Sequence, residues 1–147
     1  MNLSERLSED MKQAMKDKDK LRLSVIRMVR AAVKNQEIEL GTALADEQVL
    51  ALVQRELKQR RDSLQAFESA GRTDLMDEVK LEIEVLLTYL PAQLSVDELR
   101  ELAQDIIRDL GATKKAEMGK VMAQMMPKTR GRADGKLVQE VVQSLLP

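Results

Sequence analysis

A chain that must build its interior with one Phe, one Tyr and no Trp has few architectures open to it. Leu, Val, Ile, Met and Ala remain, and they suit helix packing better than a sheet. Their spacing agrees. Leu3, Leu7, Met11 and Ala14 or Met15 recur at helical intervals, with Asn2 and Glu5 placed as a cap and its reciprocal partner. "DKDK" at 17–20 ends this helix. Leu21, Val25, Met28, Val29, Ala32 and Val33 make a second stripe, and Gly41 stands where a helix would stop near Leu40. Val49, Leu52, Val53, Leu57, Leu64 and Phe67 make a third, ending at Gly71. Its start, "TALADEQ", has Ala45 where a capping hydroxyl is expected. Thr73 opens a fourth, with Met76, Val79, Ile83, Leu86, Leu87 and Leu90 on one face. The expected fold is all-α and multihelical, with no strand and no internal repeat.

"YLPAQLS" at 89–95 punctuates the chain most clearly. Pro91 disfavours helical geometry at Leu90, and Ser95 with Glu98 forms a capping box for a new helix. A larger N-terminal helical part is therefore expected over 1–91 and a small three-helix part over 95–147. In the latter, Leu99, Leu102, Ala103, Ile106 and Leu110 are closed by Gly111. A short helix through Met118, Val121, Met122 and Met125 is expected to close at Pro127, and Asp134 caps a last one carrying Leu137, Val138, Val141 and Leu145. So small a unit buries only ~60% of its unfolded surface, so its stability should be modest.

Without Cys or His the chain has no disulfide, thiol nucleophile, Cys/His metal site or neutral-pH proton shuttle. No metal and no cofactor is expected. The start, "MNLSERLSEDMKQ", is amphipathic and charged, and no apolar run approaches the ~20 residues of a membrane span. This reads as a soluble, cytoplasmic protein without a membrane partner.

The 147 residues carry a net charge of -1, so a nucleic-acid signal must be local. Between Gly111 and Lys136, seven cations (Lys114, Lys115, Lys120, Lys128, Arg130, Arg132 and Lys136) face only Glu117 and Asp134; between Asp74 and Asp105, nine acids face two bases. Such polarity favours an oriented partner, and those seven cations are the candidate nucleic-acid contacts. A second basic group, Arg55, Lys58, Arg60 and Arg61, either joins them or pairs with Glu56 and neighbouring acids. "GRADGK" fails as a phosphate loop, having three residues rather than four between its glycines and Leu137 in place of a hydroxyl. It reads as an interhelix turn in which Gly131 and Gly135 take unusual backbone angles and Asp134 caps the last helix. The free N–H groups there, beside Arg132 and Lys136, also suit a phosphate oxygen. Met118, Met122, Met125 and Met126 span more than one face, so they serve as core filler, as an adaptable surface for a protein partner, or as both. With so few aromatics, RNA would be held by backbone and shape.

"YLPAQLS", "EMGKVMAQMMPK" and "GRADGKLVQEVV", with "RELKQRRDSLQAFESAGRTDL" upstream, resemble the GatB/YqeY family over essentially the whole chain. Its module occurs alone, as small YqeY-like proteins, or as the C-terminal tail of GatB, a component of the tRNA-dependent amidotransferase that makes glutaminyl- or asparaginyl-tRNA. The resemblance implies a stand-alone, all-helical fold in two parts and, through the tail, engagement of tRNA. Ala45, where similar sequences carry a small polar residue, departs from the pattern only at a helix cap. Amide transfer needs a nucleophile, a Cys or a Lys-activated Ser on a Gly/Ser-rich loop, and neither is present. The serines, and carboxylate pairs such as Glu82 with Glu84 or Glu98 with Glu101, read as caps and solvated faces. The expected role is thus binding of tRNA or of a tRNA-processing enzyme complex, without a catalytic site in the chain itself. The alternatives are a protein–protein adaptor using the Met-rich C-terminal part, and an accessory to glutamine-dependent carbon–nitrogen ligase chemistry supplied by other subunits.

Overall fold

In the computed structural model, which describes residues 1–147, Asn2 opens α1 (Leu3–Lys16) by accepting the Glu5 N–H at 2.8 Å. Asp19 does the same for α2 (Lys20–Leu40) through Arg22, and Gly41 ends it in the left-handed region at φ 72°. α3 (Asp46–Ser69) starts at Ala45, which has no side-chain acceptor; only the reciprocal half of a box forms, Gln48 Oε1 accepting the Ala45 N–H at 2.8 Å. Asp46 instead accepts the Leu3 N–H from the start of α1. α4 (Thr73–Leu87) follows Gly71. α3 packs along α4 and α1 along α2, while α2 also touches α3 and α4. Leu7, Ile26, Val29, Val49, Val53, Leu57 and Leu86 are sealed at the centre. Each such side chain contributes ~1.5–3 kcal/mol by leaving water.

The chain divides into two compact units, Met1–Leu90 and Pro91–Pro147. In the second, Ser95 and Glu98 form the capping box of α5 (Val96–Leu110), both hydrogen bonds at 3.1 Å, and Gly111 ends the helix at φ 65°. A single 3-10 turn, Lys115–Glu117, leads into α6 (Met118–Thr129), and Asp134 caps α7 (Gly135–Leu145). The three helices pack pairwise around Leu99, Val121, Met125, Val138 and Val142. No strand forms.

Two local expectations fail. Pro127 does not close α6, which runs on to Thr129. Pro127 lacks only the N–H that would bond the Ala123 carbonyl, and the turn beyond it still closes: Thr129 Oγ1 donates to the Met125 carbonyl at 3.0 Å and the Arg130 N–H to Met126 at 3.0 Å. Buried Thr129 holds that end down. Gly135 is an ordinary first helical residue; of this turn's two glycines Gly131 alone, at φ 74°, needs glycine's freedom, and a Cβ there would also stand 3.4 Å from Pro91 Cγ.

Candidate nucleic-acid interface

α6 spans ~18 Å at 1.5 Å per residue, and its two ends separate the seven candidate cations. Lys114 and Lys115 lie before its N-terminus and Lys120 in its first turn. Lys128 is in its last turn, with Arg130 beyond it and Lys136 in the first turn of α7. All six are exposed. Ion pairs in this unit lie on α5, where Arg100 meets Asp97 and Arg108 meets Asp105 and Asp109, so none engages the five lysines. Arg130 is exposed but not without a partner.

Arg132 departs from the expectation of a free phosphate contact. Its Nε donates to the Ala92 carbonyl at 3.0 Å, while its own carbonyl accepts the Leu94 N–H at 2.9 Å. Gln93 Nε2 reaches the Gly131 carbonyl at 2.8 Å. Arg132 therefore ties the strap 91–94 to the α6–α7 turn. The cap of α7 is loose: Asp134 Oδ1 accepts the Lys136 N–H at 3.4 Å, and its charge sits where a phosphate would have to approach. The methionines divide as well. Met125 is sealed, Met118 and Met122 are half-buried against the core, and only Met126 is largely open, at 42%.

The second basic group does not hold together. Arg60 is buried, its guanidinium reaching Glu56, Glu82 (3.1 Å) and Met28 Sδ (3.0 Å), while Arg55, Lys58 and Arg61 remain exposed. One carboxylate of each pair has a structural partner: Arg60 engages Glu82, and Glu98 caps α5. The Ser95 backbone N–H, and then its hydroxyl, hold the Glu98 carboxyl below its usual range.

Two arrangements escaped the sequence reading. Buried Tyr89 donates its hydroxyl to Asp10 at 2.5 Å, with Arg6 stacked 4.7 Å over the ring and Arg22 3.8 Å from Asp10. Burial first, and the Asp10 hydrogen bond second, push the phenol well above its ordinary range. This clasp joins the end of α4 to α1 and α2, and nothing local in the sequence pairs positions 79 residues apart. The other is the stretch from Lys18 into α2, where Lys18 to Lys34 contains six cations and one acid. A windowed charge count would have found it; helical periodicity drew attention to the apolar side instead.

Against known proteins, the profile of the family described as "Yqey-like protein" matches residues 4–146. The chain belongs to the YqeY-like family. Its curated relatives include proteins named "Altered inheritance of mitochondria protein 41, mitochondrial". The one from Pyrenophora tritici-repentis is 29% identical over 145 residues, covering 96% of this chain and 79% of the relative. That from Eremothecium gossypii is 33% identical over 123 residues, covering 81% and 67%. One from Saccharomyces cerevisiae is 28% identical over 125 residues, covering 81% and 68%. These names overturn the expectation of a cytoplasmic location, because the relatives, matched over most of their length, are named as mitochondrial proteins.

Proposed function

We propose that this YqeY-like chain binds RNA of the tRNA class through the cationic edge of its second unit. It would act as a binding module related to the tail of the amidotransferase component GatB, in support of chemistry performed by a partner enzyme. One observation carries the reading: Lys114, Lys115, Lys120, Lys128 and Lys136 are exposed together on a small unit, and none is held by an acid. Cations left unpaired at a surface are available to phosphate, and contacts of that kind position a protein on RNA without reading its sequence. The near absence of exposed aromatics fits backbone recognition rather than base stacking. The methionines favour this reading over the protein adaptor, since three of the four are wholly or partly drawn into the core.

The test replaces Lys120, Lys128 and Lys136 with Gln. Arg132 is left in place because its loss would free the strap rather than remove a phosphate contact. Binding of unmodified tRNA at 0.1 M salt should weaken on the order of a hundredfold while helicity stays unchanged. Equal affinity in the variant would end the assignment to this edge.

A further inference from the structure

We infer that α2 carries a second phosphate-backbone site, a straight cationic row on the first unit that contributes to binding the same class of RNA through residues other than those of the α6 and α7 edge. The inference rests on the RNA reading for its ligand class, but on different residues. Lys20, Arg27 and Lys34 follow one another at seven-residue intervals and are all exposed. Seven residues bring a helix to within ~20° of two full turns, so the three side chains stand nearly in line over ~21 Å. The positions directly between them in line are small, Ser24 and Ala31, and the exposed Met28 flanks the row. Two concavities follow the row. One, of about 390 Å³, is bounded by Lys20, Ser24, Arg27 and Ala31, with Leu23 and Met28 at its side. The other, of about 480 Å³, is bounded by Arg27, Ala31 and Lys34 with Ser4 of α1. They share Arg27 and Ala31.

The acids around this face are otherwise occupied or lie at its ends. Asp19 caps α2, and Glu37, at the far end of the larger concavity, accepts the Leu44 N–H through Oε2 at 2.9 Å. No ion pair engages Lys20, Arg27 or Lys34. Arg30, half-buried and donating to Met11 Sδ, adds positive charge at the wall of the larger concavity. Small residues alternating with long cations let a sugar–phosphate strand come close to the helix while ammonium and guanidinium groups flank it. An acidic protein would instead need an aromatic or large aliphatic anchor at the centre of the face. The centre of the row offers none: Leu23 is half-buried, and Met28, 47% exposed, stands to the side with its sulfur held by Arg60 of α3. The unit's two aromatics are elsewhere, Tyr89 buried and Phe67 on α3, so bases are not stacked and recognition is by charge.

The experiment compares the full chain with a Lys20→Gln, Arg27→Gln, Lys34→Gln variant, and with the Lys120, Lys128 and Lys136 variant above. Each is titrated with unmodified tRNA and, separately, with polyglutamate. The α2 changes should weaken tRNA binding on the order of a hundredfold at 0.1 M salt and make the log affinity against log salt plot shallower by ~2–3. A Ser24→Glu, Ala31→Glu double variant, which keeps the cations and forms helix-supporting pairs with them, should weaken binding similarly. It decides the matter if the triple variant loses helicity. Wild-type binding that survives the α2 changes within twofold but is lost in the other variant overturns this inference alone. Loss with the α2 changes only would uphold it and remove the α6 and α7 assignment. Failure of the wild-type chain to bind tRNA overturns both, and weakening confined to polyglutamate would assign the row to an acidic protein and overturn the RNA site.

Discussion

Arg60 turns its guanidinium inward, between Glu56 and Glu82, although its neighbours Lys58 and Arg61 face solvent. The difference is one of helical phase: Arg60 follows buried Val53 by seven positions, nearly two full turns, and stands in the middle of the stripe of Val49, Leu52, Val53 and Leu57, whereas Arg61 is rotated a further ~100° out of it. Its removal leaves two largely shielded carboxylates facing one another with no cation between them. Arg60→Ala should therefore lower unfolding free energy by ~3 kcal/mol, whereas Arg61→Ala should change it by less than ~0.5 kcal/mol, both read from denaturant titration of the full chain. Phase explains what was legible at this scale. Leu7, Val49, Val53, Leu86, Leu99 and Val138 were identifiable as core from periodicity, and they are buried. Charge type was a poorer guide, because it does not reveal that Arg60 serves the interior or that Arg132 serves a strap; those roles depend on partners 22 and 40 residues away.

Helix boundaries were readable wherever a cap lay within four residues of its helix, as at Asn2, Gly41, Ser95 and Asp134. They were misread at Pro127, where a tertiary anchor at buried Thr129 outweighs the local penalty. The cap of α5 also has a consequence in acid. Hydrogen bonds from Ser95 depress the Glu98 value in the folded protein below the ordinary 4.5. The charged form is thus favoured by folding, and its contribution is complete above pH 4.5 and lost as pH falls through the depressed native value. Glu98→Gln keeps an acceptor oxygen but cannot titrate. Thermal unfolding of this variant should show a smaller fall in Tm between pH 6 and pH 3 than the wild-type chain shows, and an identical fall would contradict the capping role.

At the scale of the molecule, cations gather on α2 of the first unit and around α6 in the second, while the stretch from Asp74 to Asp105 is acidic, so a net charge of -1 conceals strongly segregated surfaces. The all-α architecture was legible because nearly aromatic-free apolar stripes admit little else. The α2 row was not, because the same stripe that marks a helix distracts from what its opposite face carries. Family membership and fold do not name a ligand, and the central claim is that exposed cations bind RNA phosphates without reading bases. The most direct measurement is the affinity of the intact chain for unmodified tRNA across a range of salt concentrations. Log affinity should fall against log salt with a slope of about -3 or steeper, and be little changed when one tRNA is exchanged for another. Absence of binding, or an affinity that salt leaves unmoved, would contradict it.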